Sequence, residues 1–292
     1  MTRQGKAYAC ALATVALWST VASAFKLSLR FLTPPELLLW ASLASCLALA
    51  GVLAARGKLG LVRGNRAEWL AAARLGFLNP FLYYLILFWA YALLPAQEAQ
   101  PLNYTWAVAL SLLAVPLLGQ KLRAADLLAL AVSYAGVVVI STRGDLAGLH
   151  FASPLGVGLA LGSTVIWALY WILNTRDARD PVAGLLQNFV CGTAFVLATN
   201  LVLGLRLPDW RGLAGAAYVG VFEMGLTFAL WLTALKLTTS TARVANLIFL
   251  SPLVSLLLIH VLVGEAILAS TYWGLGLILL GQAVQRLAPS RA

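Results

Sequence analysis

Long runs of apolar residues, separated by short polar connections, extend from the beginning of the chain to its end. A membrane-spanning helix needs about 20 mostly apolar residues to cross the hydrocarbon core. Turn-forming residues mark the connections between the runs, as at Pro34-Pro35 and Asp180-Pro181. The pattern predicts an all-α membrane protein with ten transmembrane helices, at residues 6–25, 35–55, 67–93, 96–118, 123–142, 153–174, 182–204, 212–235, 242–263 and 267–287.

Two stretches of the chain share one pattern at an offset of 145 residues. Leu118-Gly119-Gln120 is followed by Gly136, and Val263-Gly264-Glu265 is followed by Gly281. The pattern predicts a first repeat at 1–147 and a second at 148–292, each with five helices. Since five is an odd number of crossings, the second repeat is inverted in the membrane relative to the first. Substrate sites of such folds lie near the midplane, at the interface between the repeats.

Composition supports the membrane assignment, because 62% of the residues are hydrophobic and only 10% are charged. The mean hydropathy is +0.90, whereas a soluble domain carries about 25% charged residues. The net charge of +10 does not indicate a nucleic-acid partner, because the basic residues lie between apolar runs. Thirteen Lys and Arg residues fall on one side of the predicted spans and five on the other. This bias places both termini in the cytoplasm. We expect the protein in the inner membrane.

The first span has features of a cleaved secretory signal, since Arg3 and Lys6 precede an apolar run that ends at Ala22-Ser23-Ala24. The internal repeat argues against cleavage. Residues 162–167 of the second half (GSTVIW) align with residues 13–18 (ATVALW), so the first repeat needs its first span. We therefore expect a retained first helix.

With these motifs, the chain resembles the EamA-type members of the drug/metabolite transporter superfamily. Those proteins have ten helices, and each of their two repeats has a Leu-Gly-Glu-like turn followed by a helix with a late glycine. Ser251-Pro252 is similar to the mid-helix proline of their last repeat, and Asn103-Tyr104-Thr105-Trp106 is similar to the aromatic amino-acid exporter branch. The resemblance implies export of amino acids, with aromatic and other apolar ones favoured, by alternating access and without a cofactor. Gln120 and Ala107 depart from the pattern, so generic members do not define the substrate.

Glu223 is the clearest polar residue inside a predicted span. A charged group in hydrocarbon is costly, so it needs a partner, a water-filled cavity or a function. One interpretation is a proton-coupling carboxylate or a contact for the ammonium group of the substrate. The other is a structural ion pair with a basic residue such as Arg243, whose side chain could instead extend to the cytoplasmic surface.

Asn79-Pro80 interrupts the third span. Proline donates no backbone hydrogen bond and clashes with the carbonyl group of residue 76, which predicts a kink near Gly76. The kink is either a static bend or a hinge for alternating access, and Pro252 in the ninth span is a second candidate hinge.

Polar residues are dense at the start of the fourth span, and aromatic residues lie deep in several spans. An aromatic pair contributes about 0.5–1.5 kcal/mol beyond burial, so such side chains suit a cavity for an aromatic or apolar substrate. Each aromatic residue also has an alternative role in packing against lipid or other helices. Glu98 belongs either to this cavity or to the outer surface. The predicted cavity consists of Trp18, Asn79, Tyr83, Gln100, Asn103, Tyr104, Trp106, Trp167, Tyr170, Glu223 and Asn246.

No catalytic set of Ser, His and Asp and no metal-binding spacing occurs in the sequence, which has only two histidines. Phosphorylated substrates are disfavoured, because they call for several basic residues in the cavity. The expected partners are a small-molecule substrate and the lipid bilayer, and a monomer is compatible with the pattern. Two other hypotheses stay open: an exporter of other small metabolites or drugs by proton antiport, and an intramembrane enzyme or receptor-like membrane protein.

Overall fold

The computed structural model describes residues 2–119, 124–145, 147, 152–174, 176–237, 247 and 250–287. Within these residues the regular secondary structure is entirely helical, as predicted. The α-helices are α1 (Arg3–Ser28), α2 (Pro34–Ala55), α3 (Arg66–Gly76), α4 (Tyr83–Leu93), α5 (Ala96–Asn103), α6 (Trp106–Leu118), α7 (Ala124–Ser141), α8 (Pro154–Asn174), α9 (Pro181–Leu203), α10 (Trp210–Tyr218), α11 (Thr227–Leu237), α12 (Leu250–Leu258) and α13 (Ala269–Leu287).

Polar side chains begin several of these helices. Glu36 accepts a hydrogen bond from the Thr33 backbone N–H at 2.9 Å, and Asn65 accepts one from the Glu68 N–H at 3.0 Å. Asp180 does the same for two N–H groups of α9. Such caps satisfy the backbone donors that a helix leaves unpaired at its first turn.

Six described segments are long and apolar enough to cross a membrane: Arg3–Ser28, Pro34–Ala55, Arg66–Leu93, Pro154–Asn174, Pro181–Leu203 and Trp210–Trp231. Shorter apolar helices cover Leu130–Ser141 and Leu250–Val263. Each of these segments lies at a predicted span. The number of ten spans and the inversion of the repeats stay predictions, because the fourth, fifth, ninth and tenth predicted spans are shorter, interrupted or only partly described.

Wide π-helical turns interrupt three of the spans, at Phe77–Leu82, Val219–Leu226 and Ile259–Val263. In the first of them, Asn79 leaves the helical conformation with φ −147° and ψ 120°. The predicted kink in the third span is therefore present, and the break lies at Asn79. The hinge role of Pro80 stays a prediction.

The first compact unit contains Met1–Phe88 and Asp177–Gly264. In it, α1 packs against α11 and α12, and α9 packs against α2 and α3. The kinked third span lies close to α9, because a Cβ atom on Gly76 would be 2.2 Å from the carbonyl oxygen of Asn188. On the facing helix, a Cβ atom on Gly192 would be 2.5 Å from the ring of Pro80.

The second compact unit contains Trp89–Arg176 and Glu265–Ala292. Its main contact joins α7 and α13, and α8 packs against α5 and α6. A Cβ atom on Gly136 would lie 2.4 Å from the carbonyl oxygen of Gly274, so the backbones of α7 and α13 touch at this point. Gly136 is one of the glycines that repeat along the sequence.

The two glycines of the repeated turns share a backbone conformation. Gly119 has φ +67° directly after α6, and Gly264 has φ +81° directly after Val263. This left-handed conformation commonly ends a helix, and glycine adopts it without a steric penalty. The sequence pattern therefore marks two matching helix ends.

Candidate functional site

Glu223 lies in the π-helical segment Val219–Leu226 of the first unit. The hydroxyl group of Tyr84 donates a hydrogen bond to its Oε1 at 3.2 Å, and the side chain of Trp18 makes a further polar contact with the carboxyl group. The residue as a whole is partly exposed, but its Oε2 is buried and has no hydrogen-bond partner among the described residues.

Aromatic rings surround the Trp18 side of this carboxyl group. The Trp18 ring lies edge-on to Phe228 at 6.2 Å between centroids and is tilted against Trp231 at 5.8 Å. Two residues further along α1, the hydroxyl groups of Thr20 and Tyr218 are 2.7 Å apart. The carboxyl group of Glu223 thus lies beside the apolar ring cluster around Trp18.

Asn79 contributes a second polar group to the interior of the first unit. Its side chain is fully buried, and neither amide atom has a hydrogen-bond partner among the described residues. Tyr83, also predicted for the cavity, lies edge-on to Tyr84 at 4.7 Å between ring centroids. Tyr84 was missing from the predicted set. Only the tertiary contact with Glu223 distinguishes it from its neighbour, because both tyrosines lie in the same apolar stretch.

An aromatic cluster lies in the second unit on α8. Trp167 stacks on Tyr170 at 5.8 Å and lies edge-on to Trp171 at 5.7 Å between ring centroids. Trp167 and Tyr170 were predicted cavity residues and are buried, whereas Trp171 was not included in the prediction. The spacing of these residues could have indicated the cluster, since side chains three and four residues apart share a helix face.

The polar residues of the fourth predicted span lie around a break between α5 and α6. Asn103 ends α5, and its Nδ2 donates to the hydroxyl group of Ser163 on α8 at 3.0 Å. The backbone oxygen of Tyr104 accepts a hydrogen bond from Gln282 on α13 at 2.7 Å. Gln100 is buried, and its Oε1 has no hydrogen-bond partner among the described residues.

Glu265, from the second of the repeated turns, caps α5. Its carboxylate accepts hydrogen bonds from the backbone N–H groups of Ala96 at 2.9 Å and Gln97 at 3.1 Å. The Gln97 side chain in turn accepts a hydrogen bond from the Leu268 N–H at 2.8 Å. The acidic residue of the Val263-Gly264-Glu265 turn therefore fixes the start of the polar fourth span. Its counterpart Gln120 lies outside the described residues.

Glu98 is almost completely buried in the second unit, with 1% of its side chain exposed. Arg143 donates a hydrogen bond to its Oε1 at 2.8 Å. The Arg143 side chain itself is about half exposed, at 46%. Both predicted locations of Glu98, in the cavity or at the outer surface, stay predictions, because burial within the protein does not give the depth of a residue in the membrane.

A polar network joins the α2–α3 connection to the start of α9, outside the long apolar spans. The Arg179 guanidinium group donates to Gln187 at 2.7 Å and to Asn188 at 2.8 Å, and it also binds Asp177. Burial opposes ionisation of Asp177, but the hydrogen bonds from Arg179 outweigh it and hold the pKa of the carboxyl group below its usual value.

Asp180 lies beside this network and pairs with Lys58 at 3.2 Å. Burial opposes ionisation of Asp180 as well. Hydrogen bonds from the backbone N–H groups at the start of α9 and from the Lys58 ammonium group outweigh burial, and they hold the pKa of Asp180 below its usual value.

The structure thus distributes the predicted cavity residues over both compact units. Trp18, Asn79, Tyr83 and Glu223 belong to the first unit, and the described residues of the fourth and sixth spans belong to the second. Arg243 and Asn246 lie outside the described residues, and Pro252 is buried in α12. Among the described residues, no three His, Cys, Asp or Glu side chains are grouped closely enough to hold a metal ion.

Long apolar helices with buried polar groups and aromatic clusters are typical of a multi-span membrane protein, and the comparison with known families gives its class as a transporter. The sequence identifies the family. The model of the EamA-like transporter family matches residues 5–142 and 154–285. The chain belongs to this family and therefore to the drug/metabolite transporter superfamily, as its motifs indicated.

Named relatives agree with the family. The aromatic amino acid exporter YddG of Ancylobacter novellus is 29% identical over 230 residues, which cover 76% of this chain and 77% of that protein. An uncharacterized transporter of Archaeoglobus fulgidus is 27% identical over 246 residues, which cover 82% and 83% of the two chains. One crystal structure of a protein matches 98% of this chain and 99% of its own with a TM-score of 0.69 and 23% identity, which shows the shared fold.

Proposed function

We propose that this chain exports amino acids, with aromatic and other apolar ones favoured, and related small metabolites across the inner membrane by alternating access. The observation that carries the proposal is the 29% identity to an aromatic amino acid exporter over 76% of the chain. A transporter of this family needs no catalytic set, and its specificity comes from the side chains that line its substrate cavity.

The side chains of both units are compatible with an apolar zwitterion. Trp18 in the first unit and Trp167 in the second offer ring faces on which an aromatic side chain can stack. Gln100 and Asn103 add polar groups that match an ammonium and a carboxylate group. These residues, with the predicted cavity residues other than Glu223, are the ones that we propose to bind substrate.

We also propose that the chain consists of two inverted five-helix repeats with both termini in the cytoplasm. The matched left-handed glycines, Gly119 and Gly264, support the duplication. The two separate matches to the family model, one in each half, support it as well. The excess of Lys and Arg on one side of the predicted spans supports the orientation.

Counterflow in proteoliposomes tests the transport function. The purified chain is reconstituted with unlabelled amino acid inside, and the entry of labelled Phe, Trp or Thr is measured at equal pH on both sides. A labelled nucleotide sugar serves as the negative substrate. We expect entry of Phe and Trp above that of empty liposomes. Failure of every amino acid to exchange would contradict the proposal.

Substitution of two tryptophans tests the stacking role. Trp167→Ala removes a buried ring that stacks on Tyr170, and we expect the half-saturating Phe concentration to rise about two- to tenfold. Trp273→Ala is the matched control, since this tryptophan is 75% exposed on α13. Equal effects of the two substitutions would contradict a specific stacking role.

A further inference from the structure

We propose that Glu223 carries a proton that drives export, and that Tyr84 positions its carboxyl group. This inference rests on the proposed transport function and names the ion that is exchanged for the substrate. The observation behind it is a carboxyl group with one satisfied and one unsatisfied oxygen, buried within a membrane span.

The two oxygens of Glu223 differ in their surroundings. Oε1 accepts the hydroxyl hydrogen of Tyr84 at 3.2 Å, whereas Oε2 is shielded and has no hydrogen-bond partner among the described residues. An ionised carboxylate only accepts hydrogen bonds, so the share of the negative charge on Oε2 would be shielded from water and without a hydrogen bond from the described residues. A proton on Oε2 removes this charge and its desolvation cost.

The burial of Oε2 favours a proton over the substrate ammonium group as the ligand. An ammonium group must approach an oxygen directly, and that approach is closed at Oε2. A proton takes up no space beyond the carboxyl group itself, so it fits on Oε2 while the site is closed. We infer that it enters and leaves when alternating access opens the site to water on one side.

The backbone around Glu223 is held firmly. A Cβ atom on Gly220 would lie 2.1 Å from the carbonyl oxygen of Ala41, so the π-helical segment touches the backbone of α2. The hydroxyl group of Thr227 donates to the carbonyl oxygen of Phe222 within the same segment. π-Helical turns are frequent at functional sites, where they re-aim a side chain. Here the turn presents Glu223 to Tyr84 and Trp18.

Among the described side chains, other titratable groups on the elements packed against this segment are engaged elsewhere or lie at a distance. The packed elements are α1, α2, α10 and α11. The basic residue nearest along α1 is Lys26, eight residues beyond Trp18, which is about 12 Å along the helix axis. The engaged groups are Glu36 at Thr33, Cys46 at Thr193, Tyr218 at Thr20, and Arg211 over the rings of Phe31 and Trp210.

The proton moves through one bond to Oε2. In the outward-facing state, one O–H bond of a hydronium ion breaks, a water molecule is left, and the O–H bond at Oε2 forms. In the inward-facing state that bond breaks, the proton goes to cytoplasmic water, and the negative Glu223 is left to accept a hydrogen bond from Tyr84. With one proton moving in for each zwitterion that moves out, one positive charge crosses inward in every cycle.

Gradient-driven uptake tests the coupling. Liposomes that contain the wild type are given a pH difference of one unit at zero membrane potential, with counterflow at equal pH measured in parallel. One proton per substrate predicts accumulation of Phe up to about tenfold. We expect Glu223→Gln to keep counterflow and to lose accumulation. Accumulation by Glu223→Gln, or counterflow without accumulation in the wild type, would overturn the proposal.

Matched variants separate the coupling role from general damage. Glu68→Gln makes the same chemical change in the capping box of α3 and should accumulate substrate like the wild type. Tyr84→Phe should keep counterflow and move the pH profile of accumulation to higher pH, because the phenol stabilises the ionised carboxylate. Tyr218→Phe, which loses a hydroxyl bond to Thr20, is its control. An unchanged profile in Tyr84→Phe would refute the positioning role.

A readout without substrate keeps the two proposals distinguishable. Infrared difference spectra of the full chain in lipid, recorded between acidic and alkaline pH, should contain a protonated-carboxyl band that Glu223→Gln lacks and Glu68→Gln retains. If no amino acid exchanges but this band is present, the substrate proposal fails and the proton site stands. If the spectra of wild type and Glu223→Gln are the same, the proton site is refuted whatever is transported.

Discussion

Contact between the backbones of α7 and α13 makes Gly136 a sensitive position. In Gly136→Ala, the new Cβ atom would lie 2.4 Å from the carbonyl oxygen of Gly274 and 3.1 Å from the backbone nitrogen of Ile278. A normal C···O contact is about 3.3–3.6 Å, so the two helices must separate by roughly 1 Å. Backbone atoms cannot move aside as a flexible side chain would.

Two effects oppose each other in this variant. Alanine in place of glycine favours a helix by about 1 kcal/mol. Overpacking of a close contact costs about 1–3 kcal/mol. Gly276→Ala has the helix-favouring effect alone, because Gly276 lies on α13 and its Cβ atom would meet nothing within 4 Å. The difference between the two variants therefore measures the cost of overpacking at Gly136. We expect Gly136→Ala to be about 1–3 kcal/mol less stable than Gly276→Ala.

Unfolding of the purified chain by a denaturing detergent in mixed micelles gives the free energies of unfolding of both variants and the wild type. Gly276→Ala should unfold at the same or a higher detergent fraction than the wild type, and Gly136→Ala at a lower one. Equal free energies for the two variants would show that α7 and α13 do not touch at Gly136.

Three further predictions follow from the polar contacts and use the same unfolding measurement. Glu265→Ala removes the cap of α5 and should cost about 0.5–2 kcal/mol, with a smaller loss in Glu265→Gln, which keeps an acceptor oxygen; no loss in the Ala variant would refute the cap. Arg179→Ala leaves buried partners unpaired and should cost about 1–3 kcal/mol. Lys58→Ala breaks the ion pair with Asp180, and because this lysine is 53% exposed the loss should be at most about 1 kcal/mol. A larger loss in Lys58→Ala than in Arg179→Ala would contradict this reasoning. Asp180 has a lowered folded-state pKa, so its stabilising contribution is complete above its ordinary pKa of 3.8 and is lost as the pH falls through the lowered value. Asp180→Asn should therefore show a weaker loss of stability in acid, and an unchanged acid dependence would refute the assignment.

Much of the fold could be predicted from the sequence, because a helix in lipid must satisfy its own backbone hydrogen bonds. Apolar length alone then locates the spans, and Asn79-Pro80 marks the kink because proline cannot continue the hydrogen-bond ladder. The repeated turns were equally readable, since glycine is the residue that adopts the left-handed conformation of Gly119 and Gly264.

The candidate site could be predicted only in part from the sequence. Glu223 stands out in sequence because a carboxylate in an apolar run is costly. Its partner Tyr84 does not stand out, because one tyrosine among many apolar residues carries no signal of what it faces. The same holds for Glu265, whose motif was visible but whose role as the cap of α5 depends on a contact across 169 residues.

The sequence by itself therefore determined the class of protein, the family and most of the spans, because hydrophobic length and local backbone preference act over neighbouring residues. Tertiary structure decided which groups meet: Tyr84 with Glu223, Arg143 with Glu98, and Gly136 with Gly274. Those pairs depend on how helices that are distant in the sequence pack together. When a helix is apolar on all sides, its own sequence does not indicate which of its faces will contact a neighbouring helix.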